Sequence, residues 1–160
     1  MPAPAPIPTT STPEQVLSGL TLTLPPAYPE DLSNVRRVGH ILYTPGVLPR
    51  WGEEIRHVGR VGEEVPVRTA ARAAQLCVHN IIALVRVELG SLDRIQQVMT
   101  INVLVRSAEG FENPGRVADG ASQALYQIFG VHGRHHRTVL PTTELPHDAS
   151  VQVSAIFRAA

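Results

Sequence analysis

The sequence predicts a single α+β domain in which a mixed β-sheet carries two helices on one face. Three observations predict it. Two segments place apolar residues at helical spacing, two others alternate apolar and polar residues, and the order along the chain is strand, strand, helix, strand, helix, strand, strand. The length of 160 residues fits one domain, and a hydrophobic content of 43% supplies a core. Aromatics are only 4%, so burial rests on Val, Ile, Leu and Ala.

Each element has its own signal. The stretch 1–12 is Pro- and Ala-rich and is expected to be a disordered tail ahead of a single domain over 13–160. Thr12 as N-cap, Pro13 at the first helical position and Gln15 as the capping-box partner predict a short helix, closed by Gly19. Leu22 to Pro26 reads as extended. Asn34–Val38 and Ile41–Thr44 are strand candidates joined by a Gly39-His40 turn, and Pro45-Gly46 ends the second. Pro49 to Glu64 is rich in Gly and charge and is expected to be a loop.

From Val67 to Leu89 the period becomes helical. Ala70, Ala74, Cys77, Ile81, Leu84 and Val85 form one stripe, and Gly90 supplies the stop. Ile95 to Val105 then alternates, with Met99, Ile101, Val103 and Val105 expected on one face and Thr100, Asn102 and Leu104 on the other. A second helix is predicted over Pro114–Phe129, with Gly130 after it. Arg137–Leu140 and Val151–Phe157 complete the strands. Two helices cover one sheet face, so the other is expected to bury itself against further subunits.

Charge narrows the function classes. Lys and Arg number 14 and Asp and Glu 14, which leaves no electrostatic footprint for nucleic acid or a membrane surface. The single cysteine, Cys77, gives no internal disulfide framework and lies on the apolar stripe of a helix. No apolar run approaches the roughly 20 residues needed to span a bilayer. With no basic-then-apolar leader, the cytoplasm is the expected compartment.

Arg137 is the residue of chemical interest. It is a permanent cation on a short β-branched segment, Arg137-Thr138-Val139-Leu140, and its planar fork suits a carboxylate. Spacing alone leaves it readable as an ordinary solvated arginine. His132, His135 and His136 invite a metal reading, but their His-x-x-His-His spacing comes with no matching Cys or carboxylate set, and surface or interface histidines fit it better. Trp51, in the charged loop, reads as a cover for a cleft mouth or as a plain exposed aromatic.

Joint spacing of several segments carries a resemblance. They are Gly39-x-Ile41-Leu42-Tyr43-x-x-Gly46-x-x-Pro49, Asn80 in the Ala-rich helix, Leu89-Gly90-x-Leu92-Asp93-Arg94, Gly120-Ala121-Ser122, Gly133-x-His135-x-Arg137-Thr138, and Leu145-Pro146. Together they resemble the Rid (YjgF-type) enamine/imine deaminase family, in a longer sub-branch with an N-terminal extension, over roughly Leu24 to Phe157. The resemblance implies a chorismate-mutase-like fold, a homotrimer with sites in clefts between subunits, and hydrolysis of reactive enamines or imines such as 2-aminoacrylate to 2-keto acids and ammonia. It implies no metal and no organic cofactor. Arg137 matches the family's carboxylate-binding arginine and Gly46 the glycine after the second strand.

Other positions depart from the family's pattern. Gln152 stands where deaminases usually carry Glu, Ser154 at the nearby acidic position, Asp119 where Asn is usual, and Val139 where Cys is often found. Leu32 aligns with an upstream aromatic. These changes touch the water-activating side of the site and spare the anion-binding side. Two expectations follow. The first is an imine or enamine hydrolase in which Arg137 anchors the carboxylate, Gly46 and Gln152 place substrate and water, Asp119 and Val139 line the site, and His135 relays a proton. The second is a non-catalytic trimer that binds small carboxylates or keto acids. An RNA-cleaving activity ranks below both, for want of a basic stripe.

Overall fold

The computed structural model describes Pro2 and residues 11–160. Most of the tail expected over 1–12 lies outside the described residues. Thr12 opens α1 (Pro13–Gly19) with the capping box its sequence predicts: its side chain accepts from the Gln15 N–H, and the Gln15 side chain accepts from the Thr12 N–H. A second short helix, α2 (Pro29–Ser33), precedes the hairpin β1 (Arg36–Val38) and β2 (Ile41–Tyr43), whose turn is Gly39-His40.

The loop expected over 49–64 needs correction. It contains a small hairpin, β3 (Arg50–Trp51) and β4 (Glu54–Ile55), packed over the helix that follows. Arg50 holds it there. Its guanidinium lies 3.7 Å from the Tyr28 ring centroid and 4.0 Å from Asp31, and its carbonyl accepts from the Asn80 amide at 2.8 Å. Burial, which outweighs the attraction of Arg50, raises the Asp31 pKa above its ordinary value.

Two long helices follow their sequence bounds: α3 (Val67–Leu89) and α4 (Pro114–Phe129). Gly90 caps α3 in the left-handed conformation, which only glycine adopts without strain. Between them runs β5 (Ile95–Arg106), and β6 (His136–Thr142) and β7 (Val151–Ala159) come after. The sheet order is β1-β2-β7-β5-β6, antiparallel throughout except for the parallel β5–β6 pair. That parallel pair requires a crossover, and α4 supplies it.

Val103, Val105, Val151, Val153 and Phe157 all turn to the helix layer and are fully buried. One strand face differs from expectation. The register shifts between Val98 and Thr100, so Val98 points into the core and Met99 is 42% exposed. The inserted residue is a β-bulge, which reverses the alternation on one side of it. The other sheet face is open. Val38, Tyr43 and Leu140 lie on it with 68%, 43% and 53% of their surface exposed. Strand β6 forms one edge. Thr142 turns its carbonyl inward to the Ser107 N–H at 2.9 Å, so alternation turns the backbone of Pro141 outward.

Helices α3 and α4 lie close enough that a side chain on Gly120 would land on the backbone carbonyl of Ala71. Because backbone cannot rotate aside, Gly120→Ala is expected to destabilise the fold by about 3 kcal/mol, the upper end for overpacking. Denaturant titration of the variant checks this, and an unchanged midpoint would contradict the close crossing.

Candidate functional site

A connected polar cluster forms where α4 crosses β6. Asp119, Ser122 and Tyr126 recur on α4 at i, i+3 and i+7, the spacing of one helix face. Arg137 is in register with Ile101, whose side chain is buried under the helices, so Arg137 also rises on the helix side of the sheet. Its Nη1 donates to Asp119 Oδ1 at 3.0 Å and to Ser122 Oγ at 3.2 Å.

The chain of bonds continues with a defined direction. His135 Nδ1 lies 2.6 Å from the Gly133 carbonyl oxygen, which can only accept, so Nδ1 carries the proton. Nε2 is then the acceptor, and the Ser122 hydroxyl donates to it at 2.9 Å. Ser122 thus receives from Arg137 and gives to His135. Tyr126 stacks on the imidazole with ring centroids 5.3 Å apart. Burial lowers the His135 pKa, the Gly133 bond opposes that, and the Arg137 charge adds to it. A neutral imidazole completes the chain.

Gln152 and Gly46 form a separate pair. Gln152 is in register with Leu104, and its neighbours Val151 and Val153 are buried, so its side chain takes the open face of the sheet. Val47 and Val153 exchange two backbone hydrogen bonds, at 2.7 and 3.0 Å, which bring Gly46 against Gln152. A side chain on Gly46 would occupy the space of the Gln152 amide. Within the chain, therefore, Arg137, Asp119 and His135 come together on one face, and Gly46 with Gln152 on the other.

Val139 shares the Arg137 side of β6 and packs half-buried against the core beside Val103. The three histidines part ways: His135 turns inward, while His132 and His136 are exposed. Among the described residues no three His, Cys, Asp or Glu side chains gather as a metal site. Cys77 is fully buried, and burial pushes its thiol pKa far up. Trp51 lies on β3 with the Arg56 guanidinium 5.5 Å from its ring. No helix among the described residues is long and apolar enough to cross a membrane. Ser122 and Tyr126 are site members that the sequence reading gave no role. Ser122 belongs to the Gly120-Ala121-Ser122 segment of the resemblance, and Tyr126 has only its helical spacing from Asp119 as a signal.

Comparison with known proteins agrees in extent with this fold. The family described as "YjgF/chorismate mutase-like, putative endoribonuclease" matches residues 15–158. Protein TCP17 of Trypanosoma cruzi is 33% identical over 119 residues, 74% of this chain and 74% of its own. The crystal structure of Atu1372, a protein of unknown function from Agrobacterium tumefaciens, is similar with 36% identity, a TM-score of 0.83 and 92% of each chain covered. A Shewanella oneidensis structure, named in the same endoribonuclease terms as the family, is 27% identical with a TM-score of 0.86, covering 92% of this chain and 99% of its own.

The buried imidazole has a measurable signature. Because the folded-state pKa of His135 lies below the unfolded one, the unfolded chain takes up the proton first as pH falls. Stability is full above about pH 6.5, the ordinary histidine value, and declines as pH drops toward the folded value. His135→Gln is expected to flatten that decline without abolishing it, since burial lowers the His79 and His57 values as well. Stability measured from pH 7.5 to pH 5 checks this, and a slope identical to wild type would contradict it.

Proposed function

The chain belongs to the YjgF/chorismate mutase-like family, and from that premise we propose that it hydrolyses reactive 2-imino or 2-enamino acids, of the 2-aminoacrylate type, to keto acids and ammonia. The observation that carries the reading is the fork of Arg137. It is 30% exposed and fixed at Nη1 by Asp119 and Ser122, which leaves its remaining edge for a carboxylate.

The reaction asks for little more than positioning. The enamine tautomerises to the imine, water adds to the imine carbon, and the carbinolamine breaks its C–N bond to release ammonia. Holding the carboxylate fixes the carbon against the attacking water. Gln152 can orient that water through its amide but cannot take its proton near neutral pH. The family's endoribonuclease description finds little support in this chain's charge, since 14 basic residues are balanced by 14 acidic ones.

The assembly belongs to the same proposal. Arg137 and Gln152 sit on opposite faces of one sheet, and Val38, Tyr43 and Leu140 place exposed apolar side chains on the Gln152 face among polar ones. A homotrimer that buries the open face would bring the Gly46–Gln152 pair of one subunit to the Arg137 cluster of the next. A second reading rests on Gln152 itself. Without an acid there, the same trimer would bind small carboxylates or keto acids and not turn them over.

Single-turnover hydrolysis of freshly generated 2-aminoacrylate tests the first reading. The wild type should accelerate it over buffer, and Arg137→Ala should lose about 100-fold or more of that acceleration. No acceleration, with carboxylates still bound through Arg137, would leave the binding reading. Gln152→Glu is expected to raise turnover at least about tenfold by restoring a proton acceptor. Sedimentation should give a trimer, which Leu104→Asp, a charge at the centre of the open face, should dissociate with the fold retained.

A further inference from the structure

We propose that Gly115 sets the size of acid the site admits, by holding open beside Arg137 a slot for a bulky group next to the ligand's carboxylate. The proposal rests on the reading of Arg137 as the carboxylate anchor. Both hydrogens of Arg137 Nη1 are committed, one to Asp119 Oδ1 and one to Ser122 Oγ. Among the described residues Nη2 and Nε have no hydrogen-bond partner, so a carboxylate meets the guanidinium along that edge. Gly115, in the first turn of α4, borders it. A Cβ built there would stand 3.8 Å from Nη2.

Nothing in the fold asks for a glycine at this position. Gly120 is required because a Cβ there would strike the Ala71 carbonyl, and Gly133 because one would strike the Leu125 carbonyl. Gly115 meets no such backbone, and its φ is not positive. Outside its own stretch of chain, the one atom within 4 Å of its built Cβ is Arg137 Nη2. A glycine in a helix also gives up more conformational entropy than alanine does. The space that a side chain would fill is therefore empty, and its wall opposite α4 is the free nitrogen of the anchor.

Distances decide what the space can hold. A ligand oxygen that accepts from Nη2 stands about 2.9 Å from it. A methyl at residue 115, 3.8 Å from the same nitrogen, leaves that oxygen its place and takes up the width beside it. The carboxylate is thus served by Arg137, and the group carried beyond it is what meets residue 115. The slot keeps its width, because the Gly120–Ala71 contact fixes α4 and Asp119 fixes Nη1.

Selection at such a position works by exclusion. A larger residue would repel branched acids while sparing small ones, and hydrogen repels neither. With Gly115 in place, the site takes acids branched close to the carboxylate beside compact ones of the 2-aminoacrylate type. Residue 115 therefore governs the range of ligands, and Arg137 governs whether an acid binds at all.

Calorimetric titration with two keto acids tests the proposal. The probes are 2-oxobutyrate, which is unbranched, and 3-methyl-2-oxobutanoate, which is branched next to its keto carbon. Wild type should bind the two within about threefold of each other. Gly115→Ala should weaken the branched acid at least about tenfold and the unbranched one by less than about threefold, with the unfolding midpoint at or above that of wild type. Gly115→Ser, with the same bulk at Cβ, repeats the test in an independent variant, and Gly115→Leu should exclude both acids. A preference of about tenfold for the unbranched acid in wild type, or an unchanged ratio in the Ala and Ser variants, would overturn the role of Gly115 and leave the Arg137 anchor standing. Loss of both acids in Arg137→Ala confirms that anchor, and no Arg137-dependent binding of either probe would overturn both. The wild-type ratio needs no variant, so a misfolded mutant cannot mask the result.

Discussion

Two helices have to share one face of a five-stranded sheet, and the closeness with which they do so governs the rest of the molecule. Van der Waals contact between backbones is possible only where side chains vanish, and Gly120 against Ala71 is such a point. Small residues around it, Ala70, Ala74, Ala118 and Ala121, keep the layer thin and fully buried. Since α4 is also the crossover between the parallel strands β5 and β6, its position is locked at both ends of its path. Asp119 and Ser122, on either side of Gly120, inherit that position. The guanidinium of Arg137 is held by a surface whose placement was settled in the core.

The long elements were legible because their sequence signals repeat. An apolar stripe sustained over six turns and a left-handed glycine bounded α3, and α4 has its own apolar stripe with Gly130 after it. Short elements offered nothing to repeat. The hairpin of β3 and β4 has two residues per strand, too few for alternation to register. Helix α2 has Pro29 and acidic residues in its first turn, but Tyr28 gives no side-chain cap. The bulge at Met99 defeated a count by twos, because one added residue exchanges the faces beyond it.

At the site, a charged residue in an apolar strand announced Arg137, and its contacts stayed hidden. Ser122 reaches His135 because the 3₁₀ turn Gly130–Gly133 folds the chain back onto α4. No spacing rule for a helix or a strand anticipates that return. The parity of Gln152 within its strand could be read, since Val151 and Val153 are both apolar. What could not be read was its relation to Arg137, which depends on the registers of β5 with each neighbour. Residues that looked like members of one constellation divide into two, a carboxylate-and-guanidinium network on the helix side and a glycine–amide pair on the other.

Pro141 gives the edge of the sheet a meaning of its own. A strand at an edge offers free donors and acceptors to any other chain, and open-ended addition is the hazard that follows. Here the outward position is filled by a residue with no N–H to offer, one step from the loop that ends β6. Lateral growth by strand pairing is thereby blunted on the border that carries Arg137. By the same alternation Arg137 and Val139 turn their own backbone outward, so Pro141 takes one donor away from a border that keeps its others beside the cation.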